Sequence, residues 1–285
     1  MSSGMSQVPD QLRIAYLGPE ATFTHQAARK TFGRSARYLA AESIGDVFTM
    51  VGQGYADVGV APVENSNEGV VTSTLDLLVD SDQQIAGEII LPIRLMLLSR
   101  EQSLETVRTV YSHPQALAQC KQWLEKNLSE AKLKDSRSTA EAVALCAEVK
   151  GTAAVGGELT AELYDVPILE ADIGDWEENL TRFLVFSNRT AEPTGDDKTS
   201  IVLSIKDRVV ALYEILKPFG DNRINLTKIE SRPSRKKAWD YVFFVDLEGH
   251  RDEPNLRKTL EIVGEYCEDM RILGSYPKGT VSEKE

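Results

Sequence analysis

The sequence predicts an α/β protein of two lobes followed by a small α+β domain, and three observations carry that reading. Short apolar runs alternate with helical periodicity twice over between residues 12 and 186. A nearly unbroken apolar, β-leaning stretch, 85–98, stands between the two alternations and is longer than an ordinary strand. After a break at 190–197, where Pro193, Gly195 and two Asp interrupt the periodicity, the patterns resume in the order βαββαβ, the ferredoxin-like arrangement.

The first run, 12–18, ends in Gly18-Pro19, and Phe23, Ala27, Ala28 and Phe32 then recur at helical intervals, so it reads as strand, loop and helix. A second helix spans 43–53, with Ser43 as cap and Asp46 three residues on, and leads into a buried strand at 58–61 that Pro62 stops. Glu64-Asn65-Ser66-Asn67 form a loop before a helix whose apolar side carries Val70, Leu75, Leu77 and Leu78. The run 85–98, interrupted at Pro92 and Arg94, crosses between the lobes. Beyond it come a strand at 109–111, a helix at 114–128, a strand near Lys134 and a helix capped by Ser138 with Glu141 completing the box. A small-residue strand, 152–155, precedes Gly156-Gly157, a short helix to Tyr164, a strand at 167–169, an acidic loop at 172–179 and a strand at 182–186. Residues 12–190 should therefore close as a clamp, hinged near 85–98 and 181–188, with its cleft lined by loops at the carboxyl ends of strands. In the second domain, 198–278, strands at 200–205, 224–229, 241–247 and 271–276 alternate with helices at 209–219 and 255–267. So small a unit leaves a sheet face or edge open, and pairing with a second copy is expected.

Composition narrows the function. With 42% hydrophobic and 27% charged residues in 285, disorder as the main state is excluded and there is material for two domains. No apolar run reaches the ~18 residues of a spanning helix. A net charge of −12 repels nucleic acid and anionic membrane, so any anionic ligand must be held by local groups. Cys120, Cys146 and Cys267 have no metal-like spacing, and residues 1–11 lack the order of a signal peptide; a reducing cytoplasm is expected. Walker, His-Glu-x-x-His, Gly-x-Ser-x-Gly and Cys-x-x-Cys patterns are all missing. His25, His113 and His250 fit structural or surface roles.

The informative residues are polar groups at strand ends and helix starts. Thr22 and Thr24 open the first helix, Asn65 and Ser66 another, and Ser112 precedes the helix begun by Pro114. Free N–H groups and a positive dipole end at several such starts would hold a carboxylate without a basic patch, although each alone is equally explained as an N-cap. Thr181-Arg182-Phe183 follows a loop and opens an apolar strand. Its guanidinium suits a paired fork to a ligand carboxylate, or equally a bridge to Asp172, Asp175, Glu177 or Glu178. The Thr181 hydroxyl can donate a hydrogen bond but not ionise.

On these residues the chain resembles the prephenate dehydratase family, a catalytic region followed by a regulatory ACT domain, over about residues 13–277. The matching blocks are Gly18-Pro19-Glu20-Ala21-Thr22-Phe23; Pro62-Val63-Glu64-Asn65-Ser66 with Gly69 and Thr74-Leu75-Asp76-Leu77-Leu78; Ser112-His113-Pro114-Gln115-Ala116-Leu117; Asn179-Leu180-Thr181-Arg182-Phe183; and Asn225 to Pro233. No chorismate mutase segment precedes Arg13, which points to the monofunctional form. The resemblance implies a periplasmic-binding-protein-like (type II) catalytic fold and a decarboxylating dehydration of prephenate to phenylpyruvate for phenylalanine synthesis, with no metal or organic cofactor. It makes Thr181 the central catalytic residue, with Arg182 on a substrate carboxylate and Phe183 beside them. Thr22, Phe23, Glu64, Asn65, Ser66, Thr74, Ser112, His113 and Gln115 would complete the substrate site. Arogenate dehydratase and a non-catalytic amino-acid sensor are the alternatives, and the Thr181 hydroxyl speaks against the sensor.

The ACT domain would, by the same resemblance, bind phenylalanine between copies of a homodimer or homotetramer. Asn225, Leu226, Glu230, Ser231, Arg232 and Pro233 match one half of that site. The other half is usually a Gly-Ala-Leu run, and Val210-Ala211-Leu212 stands in its place. Glycine lets backbone approach a ligand, so the Val210 side chain should crowd the amino acid and weaken inhibition.

Overall fold

The computed structural model describes residues 11–205, 208–234 and 241–281. The first lobe is built on a mixed sheet ordered Arg37–Ala41, Arg13–Leu17, Val58–Asn65, Leu180–Ser187, Gln84–Pro92, with the short Gly69–Val70 strand paired to Val58–Asn65. The first three strands run parallel, and Leu180–Ser187 is antiparallel to both of its neighbours. Helix Phe23–Phe32 covers one face over Ile14, Tyr16, Val60 and Phe183; helices Ile44–Gly52 and Thr72–Asp80 cover the other. The edge strand Arg37–Ala41 escaped the sequence pattern because only Ala41 in it is buried. A half-solvated edge does not need the apolar alternation that betrays a strand.

The second lobe carries a sheet ordered Ile168–Glu170, Met96–Leu98, Thr152–Gly156, Thr109–Ser112, Lys132–Asp135. The helix expected at 114–128 is two, Pro114–Gln119 and Lys121–Asn127, broken at Cys120. The apolar run 85–98 is likewise not one strand. Gln84–Pro92 belongs to the first sheet and Met96–Leu98 to the second, so the chain crosses at 93–95. Proline removes the donor that would continue the ladder past Pro92. The return crossing lies at 171–179, not at 181–188, because Leu180–Ser187 has both of its edges paired inside the first sheet. The two crossings bond to each other, Ile93 N donating to Asn179 O at 2.7 Å and Ile173 N to Leu95 O at 2.9 Å.

In the C-terminal domain the antiparallel order is Leu226–Pro233, Tyr241–Glu248, Asp197–Ile205, Cys267–Pro277, which is the ferredoxin-like arrangement. Helices Ala211–Asp221 and Pro254–Tyr266 cover one face over Ile201, Leu203, Phe219, Val245 and Leu260. The other face is not left to water. Val202, Phe244 and Leu273 share a core with Leu75, Leu78 and Ile85 of the first lobe. The backbones meet so closely there that a Cβ on Gly274 would lie 2.2 Å from the Ile85 carbonyl oxygen, which is why only glycine fits.

The first helix of this domain begins at Ala211 rather than 209 because Val210 sits in the left-handed region, φ 64° and ψ 1°. A β-branched side chain is strained there by roughly 1–2 kcal/mol, part of which glycine returns through its freer unfolded chain. Val210→Gly is therefore expected to gain about 1 kcal/mol and to raise the thermal midpoint by a few degrees, checked by calorimetry of both forms.

Candidate active site

Between the lobes lies a cavity of about 390 Å³, a volume suited to a small organic molecule. The first lobe lines it with Leu17, Thr22, Phe23, Asn65, Glu68, Thr181 and Phe183, and the second with Leu95, His113, Gln115, Gln119, Arg137 and Thr139. Most of these follow the carboxyl ends of parallel strands, where open α/β sheets gather their ligands.

Helix starts rim the cavity, as local sequence indicated. Thr22 caps Phe23–Phe32, accepting from His25 N at 3.4 Å while its hydroxyl donates to Leu17 O at 3.0 Å. Ser138 caps Thr139–Glu148, accepting from Glu141 N at 3.0 Å, and His113 caps Pro114–Gln119 through Nδ1. His25 is structural: its Nδ1 accepts from Ala21 N at 3.1 Å, its ring stacks on Tyr16, and burial holds its pKa below the ordinary imidazole value. That anchors the loop that carries Thr22. The partial positive charge at the helix starts favours an anion, and on the same rim stands Arg137, 91% exposed in its side chain and paired with Glu141 Oε1 at 2.7 Å, its remaining N–H groups open to a ligand carboxylate.

Thr181 Oγ1 accepts from Asn65 Nδ2 at 2.9 Å. Asn65 is itself held in a closed ring: Nδ2 also donates to Asn179 Oδ1 (2.8 Å), Asn179 Nδ2 to Gln119 Oε1 (3.1 Å), Gln119 Nε2 to Glu68 Oε1 (2.5 Å), and Glu68 N back to Asn65 Oδ1 (3.1 Å). Gln119 comes from the second lobe, so the ring also ties the lobes together across the cleft. Among the described residues no acceptor takes the Thr181 hydroxyl proton, which leaves it available to a molecule in the cavity.

Thr22, Phe23, Asn65, His113, Gln115, Thr181 and Phe183 thus meet at one cavity. Five other expectations are corrected. Arg182 faces away from the cleft, because successive strand residues point to opposite sides and Thr181 takes the cleft side. Its Nε lies 2.6 Å from Glu88 Oε2, its Nη1 2.6 Å from Asp246 Oδ2, and its Nη2 3.0 Å from the Tyr276 hydroxyl; none of the acids at 172–178 is its partner. Burial alone would lower its pKa, but Tyr276, Asp246 and Glu88 raise it above the ordinary guanidinium value. Glu64, next to Asn65, points the same way as Arg182 and meets Lys228 Nζ at 2.7 Å. Thr74 is buried with its hydroxyl on Pro62 O at 2.5 Å, and Ser112 with its hydroxyl on Val155 O at 2.7 Å. Ser66 accepts from Leu180 N at 3.0 Å outside the cavity lining. Nor do Asn65 and Ser66 open a helix: Asn65 closes its strand, and the next helix starts at Thr72. Glu68, Gln119, Asn179 and Arg137 went unrecognised, although Ser138 and Glu141 already placed Arg137 beside a helix start.

In the C-terminal domain Val210, Leu212, Asn225, Ser231 and Pro233 are exposed, whereas Leu226, Glu230 and Arg232 are half-buried and Ala211 is buried. Arg232 reaches Asp76 of the first lobe at 3.3 Å, so it faces the catalytic region rather than open solvent.

Two α/β lobes closed on an anion-accepting cavity, with a ferredoxin-like domain packed behind the site, define a clamp-fold enzyme of small anionic molecules with an appended regulatory module. The family model for prephenate dehydratase matches residues 14–191 and that for the ACT domain residues 199–265. The chain belongs to the prephenate dehydratase family. It is 52% identical over 273 residues to the bifunctional chorismate mutase/prephenate dehydratase of Aquifex aeolicus (strain VF5), covering 96% of this chain and 75% of that protein. Among solved structures it superposes on the prephenate dehydratase of Arthrobacter aurescens in complex with L-Phe at a TM-score of 0.85, with 32% identity over 93% of this chain and 90% of that one. The same TM-score of 0.85, at 27% identity over 94% of this chain and 98% of the other, relates it to GqqA, described as a novel type of quorum quenching acylase.

Proposed function

We propose that the cavity takes prephenate and that the chain converts it to phenylpyruvate, carbon dioxide and water. The observation that carries this is the Thr181 hydroxyl, which lines the cavity, accepts from Asn65 Nδ2 and has no acceptor for its own proton among the described residues. As the C4–O bond breaks, the ring carboxylate leaves as carbon dioxide and its bonding electrons enter the ring, which becomes aromatic. The C4 oxygen departs with its bonding pair as hydroxide, Thr181 donating a hydrogen bond to the charge that gathers on it, and the proton that completes water comes from solvent. A cation on the ring carboxylate would hold back the electrons that must leave it. Arg137 and the helix starts therefore serve the pyruvyl carboxylate. Acyl transfer would instead require a base beside the hydroxyl, and the residue bonded to Thr181 is the Asn65 amide, a donor.

Incubation with prephenate should produce the ultraviolet absorbance of phenylpyruvate. Arogenate yielding phenylalanine in preference would move the assignment to arogenate, and turnover of neither would leave a binding protein. Arg137→Met, at an exposed site, should leave thermal stability unchanged and raise KM for prephenate about tenfold, the worth of one charge-assisted contact.

L-Phenylalanine is the effector we assign to the C-terminal domain, in a cytoplasmic homodimer or homotetramer joined through it. What supports the pairing is the number of exposed apolar side chains on that domain, Val209, Val210, Leu212 and Tyr213 around the start of its first helix and Ile229 on the strand Leu226–Pro233. Among the described residues no helix is long and apolar enough to cross a membrane.

A further inference from the structure

We propose that Arg182 and Glu64 are positioning residues through which the C-terminal domain sets the geometry of the catalytic pair, Thr181 and Asn65; the inference rests on the reading of that pair given above. Thr181 lies opposite Asn65 and Arg182 opposite Glu64 on neighbouring antiparallel strands. Alternation sends the first pair into the cleft and the second pair out of the opposite face of the same sheet. The C-terminal domain waits on that face with complementary charges. Asp246 and Tyr276 take Arg182, and Lys228 takes Glu64. Glu88, fully buried in its side chain, bridges Arg182 at 2.6 Å to Lys198 of the C-terminal domain at 2.8 Å.

Three cations and three anions thus form one layer between the domains, in which Arg182 and Glu64 each stand one residue from the site. The balance matters, because a buried charge survives only when its partners are in place. The backbone makes these anchors more decisive. The register slips between Arg182 and Phe183, where Pro62, which has no N–H, stands opposite Phe183. At such a bulge the ladder to Val58–Asn65 is interrupted on one edge of the strand, although the pairing with Gln84–Pro92 runs on, so the anchors on the side chains of Arg182 and Glu64 add to what holds the two strands in register there. Lys228 also belongs to the strand Leu226–Pro233, which carries Glu230, Ser231, Arg232 and Pro233. A shift of that strand reaches Asn65 through one ion pair and one peptide unit.

Lys228→Met removes the partner of Glu64 from the layer without touching the cleft. It should lower kcat on prephenate about tenfold, with KM held within about twofold, since reacting groups misplaced by a fraction of an ångström lose rate before binding. Lys228→Arg should recover most of the loss. Deuterium exchange should accelerate in 58–66 and 180–187 but not in 109–112 and 152–156 of the second lobe. Parental kcat in Lys228→Met would overturn the proposal, as would an equal acceleration of exchange in both lobes, which marks general loosening. If the parent chain fails to consume prephenate, the functional reading falls, and the exchange pattern still decides the coupling.

Discussion

Thr181→Ala should lose about 10²–10⁴ in kcat on prephenate, roughly 3–5 kcal/mol of barrier, while the protein still folds. The hydroxyl is a cavity group whose proton no described residue accepts and whose oxygen Asn65 holds, so its removal takes away the donor to the departing oxygen. Structural damage should be small. Asn65 Nδ2 keeps its bond to Asn179 Oδ1 at 2.8 Å and loses one hydrogen bond worth about 1 kcal/mol. Thr181→Ser restores the donor but not the methyl that steadies its rotamer, and should recover to within about tenfold of the parent. Steady-state kinetics beside a thermal melt checks both variants. Parental kcat in Thr181→Ala would end the donor assignment.

The second large effect is on stability and falls one residue away. Arg182→Met should destabilise the chain by about 3–5 kcal/mol, because Glu88 and Asp246 would be left facing each other without their shared cation. The arginine side chain is 12% exposed, Asp246 9% and Glu88 not at all, so water cannot take over. Methionine preserves much of the apolar volume, which confines the loss to charge. Denaturant titration of Arg182→Met against Arg137→Met separates the roles of these two arginines. The buried one should shift the unfolding midpoint strongly and the cleft one hardly at all. An Arg182→Met variant as stable as the parent would show that the layer is not held by its charges.

These two neighbours also show where sequence reading stopped. Thr181 and Asn65 were marked by the family resemblance, and the local reading added only that a hydroxyl can donate and that Asn65 opens a helix, whereas Asn65 closes a strand. The caps Thr22 and Ser138 were legible because a cap is a contact over three residues. Arg182 was assigned to the ligand although strand alternation already forbade Thr181 and Arg182 from sharing a face. Its partners, 94 and 64 residues away in Glu88 and Asp246, carry no local signal. The same distance hid the ring through Glu68, Gln119 and Asn179, which joins residues from both lobes.

Local spacing alone determined the alternation of strands and helices, the ferredoxin-like order after residue 197 and the helix caps, because each is settled by residues within a few positions of one another; the weight placed on Thr181 came from the family resemblance. Tertiary structure alone decided which side of the central strand became cleft and which became domain seam, where the chain crosses between lobes, and whether a charged residue meets ligand or protein. Those outcomes depend on burial and pairing between segments far apart in the chain, and a one-residue change of facing, invisible to composition or period, reverses the role of an arginine.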